Sequence, residues 1–125
     1  MYSVDTNNFL EMLTKQDKSE ICKSFLDKNR TVLYISDLRL HSIGVVLFRQ
    51  NEGQSYLQFF TDTLPRTSLI SLPKYNCNVV IETKNKFDLD SDDSYQYSLC
   101  KHFNLSLVTM DQDVMKILDQ RIEFL

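Results

Sequence analysis

Two glycines and two prolines among 125 residues are too few for a turn-rich all-β fold or for a disordered linker. No apolar run approaches the roughly 18 residues of a membrane span. The first residues, MYSVDTNN, lack the basic-then-apolar pattern of a secretory signal, so a cytoplasmic, membrane-free protein is expected. Cysteine is scarce too: Cys22, Cys77 and Cys100 are odd in number, far apart and without a CxxC pair. That pattern argues against a zinc site or a disulfide frame and reads as buried free thiols in a reducing compartment. Positive charge is also short, with 14 Lys and Arg against 17 Asp and Glu, a net charge of −3. The corresponding pI is about 5.3. A chain that grips nucleic acid by charge alone is normally basic. Any action on nucleic acid therefore has to go through bound metal, a local basic patch or a partner.

What remains is ordinary for one globular domain spanning residues 1–125: 42% hydrophobic, 25% charged and large enough for a core. The most informative stretch runs from Asp88 to Asp113, DLDSDDSYQYSLCKHFNLSLVTMDQD. Asp90, Asp92 and Asp93 stand where a helix should begin, and Tyr95, Leu99 and Phe103 recur at helical spacing. Asn104 can close that helix in the left-handed conformation. Leu105 to Val108 then reads as a buried strand, with Thr109, Asp111 and Asp113 just past it.

From the start of the chain, Tyr2-Ser3-Val4 is β-like and stops at Asp5-Thr6-Asn7, where Asp or Thr can cap a helix from about Asn8 to Leu13. A second helix opens at Asp17 or Ser19, its stripe formed by Ile21, Cys22, Phe25 and Leu26. Thr31 to Ile35 predicts a strand. Ser36 or Asp37 caps a third helix with Leu40, Ile43, Gly44 and Leu47 on one face, closed by Asn51-Glu52-Gly53. A fourth helix is expected over 55–61, a strand over 68–72, and a helix from Pro73 to about Lys86. A short helical turn near 114–118 and a strand from Arg121 to Leu125 complete the set. Strands separated by helices imply an α/β fold with a parallel sheet covered on both faces. Ligands of such sheets bind beyond the carboxyl ends of the strands. Asp5, Asp93 and Asp111 can meet at that edge if the first and fourth strands are neighbours.

Carboxylates gathered at one rim repel each other unless they are protonated or hold a cation. Hard oxygen ligands suit Mg²⁺ or Mn²⁺, and hydrolysis of a nucleic-acid backbone is the natural use of such a site. Plainer readings stand beside this. Asp90, Asp92 and Asp93 are good helix caps, as is Asp5, and Asp111 with Asp113 can simply start a helical turn. Tyr95, Tyr97 and Phe103 read more simply as core than as a base-stacking platform, and Lys15, Lys18, Lys23 and Lys28 as a solvated helix face. A phosphoacceptor receiver-like domain needs a pair of acids after the first strand and a lysine after the last. Asp5 stands alone here, and no lysine follows Ile122.

DTN after the first strand, DDS opening a helix and LVTMDQD across the following strand together resemble a PIN domain. This is the nuclease family that includes VapC-type toxins of toxin–antitoxin pairs. The resemblance spans nearly the whole chain. It implies a three-layer α/β/α sandwich around a mostly parallel sheet of four to five strands. It further implies a Mg²⁺- or Mn²⁺-dependent ribonuclease with an antitoxin partner, RNA as substrate and self-association as a dimer. Position by position, it assigns metal binding and catalysis to Asp5, Asp93 and Asp111, with Thr109 as hydroxyl neighbour and Asp92 and Asp113 in support. One departure is visible: the family's glutamate early in the third helix is Ser42 here, which cannot supply a carboxylate charge. Asp37 lies about 140° away around the helix, which leaves Asp92, Asp90 or Glu11 to complete the set. A PIN-like interaction or RNA-binding module without catalysis is the alternative.

Overall fold

Tyr2–Val4 opens the chain as strand β1, and it ends where Asp5 turns its carboxylate onto the Thr6 amide to cap helix α1 (Thr6–Leu13). The computed structural model describes residues 1–110 and 122–125. Asp111, Asp113, the turn expected over 114–118 and Arg121 lie outside the described residues. After α1 come α2 (Ser19–Lys28), β2 (Leu33–Ser36), α3 (Asp37–Arg49) and α4 (Gly53–Asp62). They are followed by β3 (Ser68–Ile70), α5 (Asn78–Phe87), α6 (Ser91–Phe103), β4 (Ser106–Thr109) and β5 (Ile122–Phe124).

The five strands form one sheet in the order β3-β2-β1-β4-β5, and every neighbouring pair is parallel. The order reverses between β1 and β4, which pair Tyr2 with Ser106 and Val4 with Val108. Alternation along the strands divides the core into two layers. Val4, Leu33 and Ile35 face Phe9, Leu26, Ile43, Leu47 and Phe59 on the side of α1 to α4. Leu107 and Tyr34 face Leu89, Tyr97 and Cys100 on the side of α5 and α6. The chain is thus a three-layer α/β/α sandwich, and its strand order reverses between β1 and β4, at whose carboxyl ends such sheets form their ligand crevice.

Local differences from the expectations have physical causes. Pro73 does not open a helix; its backbone is extended (ψ 143°) and leads into a single 3₁₀ turn, Lys74–Asn76. Helix α5 starts at Asn78 and keeps Val79, Val80 and the exposed Ile81 helical; docking of the helix as a whole along α6 overrides their local β preference. Asn51, within the stretch expected to close α3, takes the left-handed conformation (φ 56°), while Gly53 already begins α4. Helix α6 buries Leu99 as expected, but Tyr95 and Phe103 are only half-buried. Ser94, Gln96, Tyr97, Ser98 and Cys100 are covered instead, because this helix packs on both α5 and β4.

Gly44 is required by a close approach. A Cβ there would lie 2.8 Å from Cζ and Oη and 2.9 Å from Cε2 of Tyr56, whose hydroxyl is tied to the Leu40 carbonyl. Gly44→Ala is expected to destabilise: overpacking of about 1–3 kcal/mol outweighs a helix-propensity gain of about 1 kcal/mol. Thermal unfolding should show a lower Tm, and adding Tyr56→Phe should not restore it, because the ring carbons remain. An unchanged Tm for Gly44→Ala would mean that α3 and α4 stand further apart.

Candidate functional site

Asp5 reaches the crevice because β1 ends one residue earlier and its own amide continues the ladder, donating to the Val108 carbonyl at 2.9 Å. Its carboxylate is almost fully buried and heavily used. Oδ1 accepts the Thr6 amide at 2.7 Å, and Oδ2 accepts the Thr109 hydroxyl of β4 at 2.9 Å. Asp5 is therefore both the cap of α1 and a member of the site. Asp93 arrives from the first turn of α6. Asp90 caps that helix, its carboxylate accepting the Asp93 amide at 2.8 Å, and this leaves the Asp93 side chain to point into the crevice.

A third residue joins the two acids. Arg39, in the first turn of α3, places Nη1 3.2 Å from Asp5 Oδ1 and Nη2 3.4 Å from Asp93 Oδ1. One guanidinium bridges two carboxylates drawn from opposite layers of the sandwich. Its side chain is 9% exposed, against 4% for Asp5 and 12% for Asp93, so solvent screens the three charges little. The guanidinium is held from behind as well. Arg39 Nε donates to Gln96 Oε1 at 3.4 Å, and that oxygen also accepts the Ser36 hydroxyl at 3.0 Å. The Gln96 amide nitrogen donates to the Ser3 hydroxyl, and the Arg39 backbone amide donates to Ser36 Oγ at 3.1 Å. Gln96 and both serines are completely buried, so a satisfied polar network fixes the arginine fork from two strands and a helix.

The remaining candidates fall elsewhere. Ser42 donates its hydroxyl to the Leu38 carbonyl of its own helix at 2.9 Å. Asp92 is exposed, on the wall of a neighbouring cleft shared with Asp37, His41 and Tyr95. Burial pushes the Tyr95 hydroxyl up from its ordinary range, against the opposing Leu72 amide, and it donates to Asp37 at 3.1 Å. Asp90 is taken up by its cap, and Glu11 accepts the Lys18 amide, so neither completes the acid pair. Thr109, expected as the hydroxyl neighbour of Asp111, donates its hydroxyl to Asp5. Asp111 and Asp113 lie outside the described residues.

A hard divalent cation needs several oxygen ligands around it. Among the described residues no group of three His, Cys, Asp or Glu side chains converges. Both acids that do converge spend an oxygen on Arg39. As they stand, these residues hold a guanidinium and do not fit a divalent ion. Sequence reasoning missed Arg39 and Gln96. The signal was present: Arg39 lies at i of an i, i+4, i+8 row with the buried Ile43 and Leu47, and a charge on a buried stripe demands a partner. It also lies at the positive end of the α3 dipole, where a cation is disfavoured without one.

A family model described as PIN domain matches residues 2–119. None of the curated proteins matches the chain. Among solved structures, a toxin–antitoxin complex from Klebsiella pneumoniae superposes with a TM-score of 0.80 at 14% identity, covering 98% of this chain and 96% of that one. VapBC2 from Rickettsia felis, bound to a DNA fragment from its promoter, gives 0.78 at 16% identity over 98% and 97%. PAE2754 from Pyrobaculum aerophilum gives 0.72 at 17% identity over 98% and 87%. At these identities the likeness is one of fold.

The buried ion pair has a measurable signature. Arg39→Met leaves the Asp5 charge buried beside Thr109 and should cost about 3–5 kcal/mol in urea unfolding. The Asp5→Asn/Arg39→Met double variant should lose less than the sum of the two single variants, by a coupling of about 1–3 kcal/mol. Strict additivity would mean that the two side chains do not pair in solution.

Proposed function

The chain belongs to the PIN domain family, and on that premise we propose that it is a ribonuclease of the toxin kind, cutting RNA with Asp5, Asp93 and Asp111. The single observation that carries this reading is the meeting of Asp5 and Asp93. Two acids from remote parts of the chain point at one cation in the crevice where β1 and β4 diverge, the place where such sheets bind ligands. The same reading gives the chain a small antitoxin protein as partner, with a segment covering the acid crevice, and self-association as a dimer. The likeness in fold to proteins from toxin–antitoxin complexes of Klebsiella pneumoniae and Rickettsia felis supports that partner class.

The cofactor of this reading is Mg²⁺ or Mn²⁺; Asp5 and Asp93, with Asp111, would hold the ion, and when bound it would polarise a phosphodiester and lower the pKa of its water. Arg39 has to leave the acids before either ion can reach them. A second reading is favoured by two specific observations, the guanidinium on the acid pair and the Ser42 hydroxyl turned back on its own helix. It is a PIN domain that binds RNA or a protein partner without cutting. No helix among the described residues is long and apolar enough to cross a membrane, and work in the cytoplasm belongs to both readings.

RNA cleavage by the purified chain at millimolar Mn²⁺ separates them. The nuclease reading predicts Mn²⁺-dependent cleavage that Asp5→Asn and Asp111→Asn each abolish. Cleavage unchanged in both variants would sink the assignment of the acids. A folded wild-type protein that cuts nothing would favour the non-cutting module.

A further inference from the structure

Within that reading of the Asp5–Asp93 crevice as the site, we infer that Arg39 is its resident cation and that a divalent ion binds only by displacing it. Three independent features carry this. The first is stoichiometric: each carboxylate gives one oxygen to a different Nη of the same guanidinium, so the fork spans the gap between the acids. The planar spacing of the guanidinium nitrogens suits such bridging.

The second is that the arginine is seated, not adventitious. Gln96 takes its Nε, and Gln96 is in turn fixed by Ser36 on β2 and Ser3 on β1, all three without solvent exposure. Gln96 sits on the same helix as Asp93, one turn further on. The element that delivers an acid therefore also delivers the group that orients its counter-charge. A glutamine carbonyl facing the chain's own guanidinium makes a receptor for arginine built into the core.

The third is that none of the other candidate residues described brings a carboxylate to the pair. Ser42 faces its own helix, and Asp92, Asp90 and Glu11 do not reach the pair. Among the described residues, two carboxylates and one guanidinium sum to −1, where the same two acids without Arg39 would stand at −2 and draw a divalent ion more strongly. A side chain tethered in place also competes at a high effective concentration. The chain thus carries in cis a cation that raises the divalent-ion concentration needed to fill the crevice.

Calorimetric titration of Mn²⁺ into the metal-free, full-length protein tests this without reference to cleavage. Wild type should bind weakly, and Arg39→Gln should bind roughly tenfold tighter or more. Mn²⁺ should raise the Tm of Arg39→Gln well beyond its effect on wild type, and Asp5→Asn in the same background should remove both gains. Arg39→Lys, which keeps a cation but loses the fork, should fall between them and serves if the glutamine variant does not fold. Equal affinity for wild type and variants overturns the inference, as does folded Arg39→Gln or Arg39→Lys protein that binds no Mn²⁺. A chain that passes this titration and cuts no RNA keeps the resident arginine and loses the nuclease reading. One that cuts RNA at micromolar Mn²⁺ with Arg39 intact keeps the nuclease reading and loses the resident arginine.

Discussion

A charged side chain withdrawn from water must find its counter-charge within the protein, and around Asp5 that requirement organises a large part of the molecule. The carboxylate is buried because it ends the central strand, β1, and the strand has layers on both faces. Its burial is tolerable because Thr6, Thr109 and Arg39 all donate to it. These donors come from α1, β4 and α3, elements that meet only after the parallel sheet is assembled. The charge is thus satisfied by the completed fold and by nothing local except the α1 cap.

The same requirement accounts for the polar seam through the middle of the sandwich. Ser3 and Ser36 occupy strand positions on the α6 side where apolar residues would be expected, and Gln96 fills the space between them. A hydrophobic replacement of Gln96 would leave Arg39 Nε unanswered beside a pair of acids, and one at Ser3 or Ser36 would remove a partner that holds Gln96 in place. The seam makes sense as support for the guanidinium, and the guanidinium as support for the acids. What the arrangement costs in hydrophobic burial it returns as a single fixed geometry at the edge of the sheet.

Much of this was visible in the residues. The order of elements, the α6 cap and its left-handed end at Asn104 all followed from spacing and capping chemistry. The convergence of Asp5 with Asp93 hung on β1 and β4 being neighbours, which the pairing of Tyr2 with Ser106 and Val4 with Val108 establishes. Arg39 escaped because its row with Ile43 and Leu47 signals only that the charge needs a partner, and not which element supplies one. Its partners are distant in sequence and no local rule names them. Gln96 was obscured for a related reason: a stripe drawn through Tyr95, Leu99 and Phe103 puts it on the wrong face, whereas α6 is covered on two sides by α5 and β4. Ser42 was legible as a departure, but its hydroxyl turning back to Leu38 was not. Only side-chain geometry shows that, among the described residues, Arg39 and not a third acid meets the Asp5–Asp93 pair.

The central claim is that the fork of Arg39 occupies the space between Asp5 and Asp93. A crystal structure of the wild-type protein grown with micromolar Mn²⁺, with anomalous data collected at the manganese edge, tests it most directly. The account predicts guanidinium density bridging the two carboxylates and no anomalous peak between them. A manganese peak shared by Asp5 and Asp93, with Arg39 turned away to solvent, would contradict it.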